Sequence, residues 1–192
     1  TAIPLYNGLK PYQQIPFQFS VHKIDKKGKK THYSFIASEN LDPRKEFIKA
    51  LKRKLGKTGS IIVYNQVFEK SILKKIGEFF PLEEEYINEQ IERVVDLLVP
   101  FRNFDYYNRK QLGSASLKYV LPAMTNMTYK GMEIENGMQA SLRYAYISQG
   151  DINGNKASKE EIKKIRNDLK KYCKLDTEAM IQILNKLIEM SN

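Results

Sequence analysis

Ser60-Ile61-Ile62-Val63-Tyr64-Asn65-Gln66-Val67-Phe68-Glu69 changes its periodicity at the midpoint. Its first half is a short continuous apolar run bounded by a glycine, the pattern of a strand covered on both faces. Its second half opens a helix after Asn65, which is expected to cap it. Phe68, Ile72, Leu73, Ile76 and Phe80 recur at helical spacing, and Pro81 ends the run. Upstream lies a second helix. Asp42-Pro43 supplies an N-cap carboxylate and a proline at the first helical position; Phe47, Ile48, Leu51 and Leu55 form its stripe, and Gly56 stops it. Before that, Phe17, Phe19 and Val21 alternate with polar residues, and Tyr33 and Phe35 alternate again beyond the polar run Asp25–Lys30. This predicts a β-hairpin. The order strand, strand, helix, strand, helix makes the chain α/β.

The remainder reads as mostly helical. Residues 83–98 carry Tyr86, Ile87, Ile91, Val94 and Val95 at helical spacing, and residues 101–107 form a loop. Leu117–Met124 is a helix opened by Ser114-Ala115-Ser116, and residues 150–155 are a glycine- and asparagine-rich loop. Ser158 and Glu161 form a capping box. A long helix or helix pair follows, with Ile162, Ile165, Leu169, Cys173, Ile181, Leu184 and Ile188 inward. The lead-in, residues 1–16, carries four residues of the proline and glycine type and is irregular.

The 192 residues suffice for one domain without disulfides or structural metal, and one cysteine excludes an intrachain disulfide. No apolar run reaches the roughly 20 residues of a membrane helix, so no membrane partner is expected, and the cysteine usage fits a reducing, cytoplasmic location. Lys and Arg number 32 against 22 Asp and Glu, a net charge of +10. That surplus suits a polyanionic partner, or is a solvated lysine-rich surface; the same alternatives hold for the lysines at the hairpin tip. The chain begins with Thr, so a fragment of a longer protein is expected.

Two strings carry candidate chemistry. In Tyr64–Glu69, Glu69 sits in the first turn of a helix at the end of a strand, where α/β folds place their sites. Alone it reads sooner as a glutamate favoured by the helix dipole. In Tyr172–Asp176, the i, i+4 spacing stacks a phenol over a carboxylate on one helix face. Alone this reads as a core tyrosine beside a solvent-facing aspartate.

Together these strings resemble the second and third motifs of the DEDD exonucleases, in the branch with a tyrosine in motif three. There N-x-x-F-D follows a central strand and Y-x-x-x-D lies on a late helix. The chain is similar, more closely, to a bacterial family of RNase H-like domains assigned to that superfamily. Four strings carry the likeness in order: Pro11–Ser20 (PYQQIPFQFS), Tyr64–Glu69 (YNQVFE), Gly113–Pro122 (GSASLKYVLP) and Tyr172–Thr177 (YCKLDT). The resemblance implies an RNase H-like mixed sheet flanked by helices, over residues 1–192 as one domain. It also implies a metal-dependent 3′–5′ exonuclease acting on single-stranded DNA or RNA. Glu69, Tyr172 and Asp176 become catalytic candidates, Glu69 and Asp176 as ligands of two Mg²⁺ or Mn²⁺ ions and Tyr172 orienting the attacking water. Asn65, Ser116 and Lys118 become nucleic-acid-contacting candidates, and Asp96 an outer-shell acid or a structural group.

Two departures qualify the likeness. Glu69 stands where most DEDD enzymes have aspartate. Motif one, D-x-E, lies in family members on a strand just before the segment that begins here, and this chain lacks it. The first strand of the sheet is thus expected to be missing and the chain inactive by itself. The gap is expected to be closed by rearranged pairing, by residues 1–16, or by another chain through exposed sheet edges. The alternative function is a non-catalytic nucleic-acid-binding or scaffolding domain. His22 and His32 are expected to be hairpin residues without catalytic duty, and Cys173 a packing residue.

Overall fold

A computed structural model describes residues 5–39 and 41–191. The hairpin is formed by β1 (Gln18–Ile24) and β2 (Lys30–Ile36), antiparallel with Phe19 opposite Phe35 and Val21 opposite Tyr33. The Asp25 carboxylate accepts the amides of Lys27 and Lys29 and closes the lysine-rich turn. The helix α1 (Pro43–Leu55) is capped by Asp42, whose side chain accepts from the Arg44 amide, and ends at Gly56 with φ 75°. Then come β3 (Ile61–Val63) and α2 (Gln66–Phe79). These elements stand where the sequence places them.

The next stretch departs from expectation. Residues 83–98 are not one helix: α3 (Glu84–Glu92) ends, and β4 (Val94–Asp96) follows it, parallel to β3. The two β-branched residues that fit a helical stripe fit a strand better once Ile61–Val63 offers a ladder. A short α4 (Val99–Arg102) and α5 (Leu117–Met124) lead to α6 (Gly137–Gln149), a helix the sequence reading does not contain. The last element, α7 (Lys159–Ser191), is one unbroken helix of 33 residues with the Ser158–Glu161 capping box at its start. No helix among the described residues is long and apolar enough to cross a membrane.

The architecture is α/β, but the single mixed sheet expected is instead two separate two-stranded sheets, β1–β2 and β3–β4. The ladders show which edges stay open. Ala37 donates to Phe17 and Asp25 to Lys29, so Phe19, Val21 and Lys23 exchange bonds with β2. The amides and carbonyls of Gln18, Ser20, His22 and Ile24 therefore point away from β2. On the other side, Ile61 donates to Arg93 and Leu97 to Val63, so Ile62 turns its backbone groups away from β4. Between the two open edges lies a cavity of about 970 Å³, bordered by residues 17–24 and 58–64. The gap is thus not closed by rearranged pairing. Residues 5–16 border it as turns and irregular chain rather than as a strand, and residues 1–4 lie outside the described ones.

Helices hold the two sheets. Phe19 packs with Phe47, Ala50 and Leu51 of α1, and Ile48 of α1 meets Ile76 of α2 and Ile87 of α3. The first half of α7 packs Ile165 and Leu169 on Ile36, Ala140, Tyr144 and Ile147. Its second half packs Ala179 and Ile183 on Leu97, Phe101, Val120, Leu121 and Tyr129. The apolar stripes hold except at two ends: Phe68 is 47% exposed and Ile188 49% exposed. Phe68 borders the cavity, which gives it nothing to pack on from that side.

The polar face of β1 is also not a solvent face. Gln18 donates to the Leu169 carbonyl, the Ser20 hydroxyl bonds His32 and Thr177, and His22 bonds Thr177 and pairs with Glu178. Burial lowers the pKa of both histidines, which therefore favour the neutral form in this network. Leu169 has no accessible surface and lies where α7 meets β2 and α6. Leu169→Ala is expected to destabilise the fold by about 2–5 kcal/mol, read as a lower urea midpoint at unchanged slope.

Candidate active site

The site begins with the turn that follows β3. Asn65 adopts a left-handed conformation, φ 86° and ψ 72°, which asparagine tolerates better than other side-chain-bearing residues. Its side chain makes no cap, contrary to the expectation that Asn65 caps α2. Asp96, at the end of β4, does that work instead. Its carboxylate accepts the amides of Asn65, Gln66 and Leu98 at 2.9, 3.0 and 3.0 Å. One charge thus satisfies the first turn of α2 and fixes the exit of β4, and Asp96 is a structural group. The Tyr64 hydroxyl donates to the Ala115 carbonyl at 2.6 Å, tying the end of β3 to the segment before α5.

With the turn fixed, Glu69 in the first turn of α2 faces the cavity between the sheets. Tyr172, Cys173 and Asp176 of α7 border the same cavity. The three catalytic candidates therefore come together, from helices about 100 residues apart in sequence. Glu69 is enclosed by protein on most sides, yet its side chain keeps accessible surface because it opens on the cavity. Burial first, and then the negative charge of Asp176, push its pKa up.

Asp176 is the better-buried acid, and burial pushes its pKa up to about 6. Three groups oppose that shift: the Tyr129 phenol, which donates to Oδ1 at 2.7 Å, the Tyr172 phenol, and the positive charge of Lys118. Tyr129 and Tyr172 are themselves raised well above the ordinary phenol value, first by burial and then by the Asp176 charge. Both stay protonated and act as hydrogen-bond donors. Tyr129 was not among the sequence candidates, because a tyrosine in a polar connection between α5 and α6 carries no local signal. Burial, with the nearby acids, also raises the Cys173 thiol, which leaves it a packing residue and not a nucleophile.

The nucleic-acid-contacting candidates are placed differently. Lys118 is exposed on α5 and close enough for Asp176 to feel its charge. Ser116 is exposed at the start of α5, and its side chain caps nothing. Neither Asn65 nor Ser116 nor Lys118 borders the cavity.

Glu69 and Asp176 suit a hard divalent cation in kind, being oxygen donors whose raised pKa values a cation would bring down. They fall short in number: no group of three or more His, Cys, Asp or Glu able to hold a metal exists among the described residues.

Two measurements follow from this geometry. Asp96→Ala removes the acceptor of three amides and should cost about 2–4 kcal/mol of stability in urea unfolding. Asp176→Asn should do the opposite at neutral pH. The native carboxyl holds its proton up to about pH 6 and the unfolded one only to about 3.8. Above pH 6 both states are ionised, and the native state carries the whole penalty. Below the unfolded value both are protonated and the penalty is gone. The variant should therefore be more stable than the parent chain by about 1–3 kcal/mol at pH 7, the gain fading as pH falls from 6 toward 4. Comparison at each pH cancels the opposite trend of His22 and His32, whose lowered pKa values cost stability as pH falls below about 6.5.

Among known proteins, the chain is similar to an uncharacterized protein of Mycoplasma genitalium, 27% identical over 209 aligned residues. The alignment covers 96% of this chain but 30% of that relative's length. No solved structure matches the chain. The model of a domain of unknown function, DUF2779, matches residues 1–116, which include Glu69 but stop short of Tyr129, Tyr172 and Asp176. With more than half of its length matched, the chain belongs to the DUF2779 family.

Proposed function

We propose that this region belongs to a metal-dependent 3′–5′ exonuclease of RNase H-like fold, and that the 192 residues hold part of its active site. The observation that carries the reading is the convergence of Glu69 and Asp176, from α2 and α7, on one cavity with the Tyr172 phenol beside them. Two acids pushed up by burial, Glu69 also by the charge of Asp176, are costly to keep near one another unless a cation uses them. The motif resemblance supports the same reading, and the net charge of +10 suits a polyanionic substrate.

Glu69 and Asp176 would hold the Mg²⁺ or Mn²⁺ ions, which when bound supply charge stabilisation at the scissile phosphate. Tyr172, protonated at neutral pH, donates a hydrogen bond and orients; it is no general base. Tyr129 fixes the Asp176 carboxylate through the 2.7 Å bond and is a positioning residue. Lys118, whose charge reaches Asp176 from outside the cavity, would attract a phosphate toward the site. Glu69, one methylene longer than aspartate, reaches farther from its helix and keeps the ligand type. Two carboxylates hold one hydrated cation weakly, so a working two-ion site needs ligands from outside these residues.

The test is degradation of a 5′-labelled oligonucleotide, DNA and RNA, with Mg²⁺ or Mn²⁺ and with EDTA. Residues 1–192 alone should bind single strands in a salt-dependent way and degrade them little. The longer polypeptide should release nucleotides from the 3′ end only with metal. Asp176→Ala should abolish release, while Tyr172→Phe should slow it about ten- to a hundredfold. A polypeptide that folds and binds metal yet leaves both kinds of end intact hands the reading to a non-catalytic nucleic-acid-binding domain.

A further inference from the structure

The segment 101–113 is irregular in path and firmly tied. Phe101 is buried, Tyr106 packs edge-on against its ring at 5.7 Å, and the Tyr106 amide donates to the Pro100 carbonyl. Asn108 and the buried Gln111 cap each other, and their side-chain amides donate to the carbonyls of Ala123 and Ser114. Yet this fixed loop displays its large apolar groups. Phe104 is 68% exposed, Leu112 79% and Tyr107 47%. Phe104 and Leu112 also hold positive φ, 60° and 52°, which bulky side chains rarely adopt. A rigid loop that keeps strained, exposed apolar residues points to a ligand that uses them.

The rings and charges of the segment define that ligand. The Phe104 and Tyr107 centroids lie 5.9 Å apart at 47°, tilted rather than stacked, so neither ring covers the other's face. The Tyr107 hydroxyl accepts the Gly113 amide at 3.2 Å, which brings the turn at Leu112 to the same patch. Arg102, Arg109 and Lys110 are exposed on this segment, against one acid, Asp105. None of the three cations is in an ion pair among the described residues. The segment also adjoins the candidate site. Arg102 is close enough for its charge to act on the Tyr64 phenol, and the Tyr64 hydroxyl donates to the Ala115 carbonyl. Tyr64 borders the cavity that holds Glu69 and Asp176.

We infer that Phe104 and Tyr107 form a stacking platform for the unpaired bases of a single-stranded nucleic acid, whose phosphates Arg102, Arg109 and Lys110 hold. Every base has a π-face that an aromatic side chain can meet, and cations beside the rings neutralise the backbone. In a duplex those faces are covered by neighbouring bases, so the platform selects unpaired nucleotides. An apolar protein segment would cover the rings and leave three cations without counter-charge. The inference rests on the nucleic-acid reading above and adds to it the residues that hold the bases; Asn65, Ser116 and Lys118 are not among them.

The experiment is fluorescence anisotropy of a labelled single strand of about twelve nucleotides, DNA and RNA, with the 192-residue chain in EDTA. Phe104→Ala and Tyr107→Ala should each weaken binding about tenfold, with the slope of log Kd against log salt unchanged. Arg109→Gln and Lys110→Gln should each lower that slope by about 0.7. Phe104→Trp should bind as the parent chain does, whereas Phe104→Leu, apolar but without a π-face, should bind like Phe104→Ala. An abasic strand of equal length keeps its phosphates and should bind more weakly, with no difference between the parent chain and Phe104→Ala. Circular dichroism melts confirm that each variant is folded. Equal affinity for abasic and base-bearing strands, Phe104→Leu binding as the parent does, or no binding by the parent chain overturns the inference. Self-association of the chain that Phe104→Ala abolishes, with oligonucleotide binding unchanged, overturns it in favour of a protein contact. Because binding is read in EDTA, its failure is distinct from absence of metal-dependent release of nucleotides.

Discussion

The fold depends on α7. The two sheets share no hydrogen bond, so their relative position is set by helices that touch both, and α7 touches both along its length. Its 33 residues span about 50 Å. Leu169 and Ile165 seat it on the hairpin side; Ala179 and Ile183 seat it on the β3–β4 side. Tyr172 lies between these anchor points and packs against both groups of core residues. Asp176 follows one turn later. The candidate site is therefore placed at the part of the helix that bridges the two halves, where its orientation is fixed from both ends.

Electrostatics at that point runs against stability. A carboxyl pushed up to about 6 is one the native state would rather keep protonated, yet two phenols and a lysine work to keep it ionised. Core packing would be better served by an apolar residue or an amide at 176. Burial acts against Asp176, and burial with the like charge of Asp176 acts against Glu69, a pair of costs that packing does not explain. The contrast with Asp96 is instructive. That carboxylate accepts three backbone amides, and its work is finished once the turn is closed.

Local signals in the sequence told the truth about local structure. Asp42-Pro43, Gly56, the Asp25–Lys30 turn and the Ser158–Glu161 box each involve residues a few positions apart, and each is found as read. The failures are non-local. Val94-Val95 fit a helical stripe until Ile61–Val63 supplied a partner strand, and three residues are too few to show a period of two. Asn65 had the composition of a cap, but a carboxylate arriving 31 residues later took the amides. α6 escaped because its polar and apolar residues are poorly segregated around the helix. Within the site, Tyr172, Asp176 and Glu69 were legible through the motif resemblance, since spacing and position alone favoured a structural reading of each. Tyr129 was not, since only the tertiary fold brings it to Asp176.

The charge distribution connects the site to its surroundings. A chain with ten more basic than acidic residues nonetheless places two acids on the wall of the cavity between its sheets, with no ion pair to either among the described residues. Lys10, Lys23 and Arg93 also border it without pairing with either acid, and most other basic residues lie elsewhere, as on the exposed face of α1 and at the hairpin tip. A polyanion would thus be attracted by the surface and repelled by the two acids themselves. That arrangement leaves a bound cation as what would let a phosphate approach Asp176. The outward edges of β1 and β3 and the two acids share one cavity, so whatever occupies that cavity also sets the charge of the site.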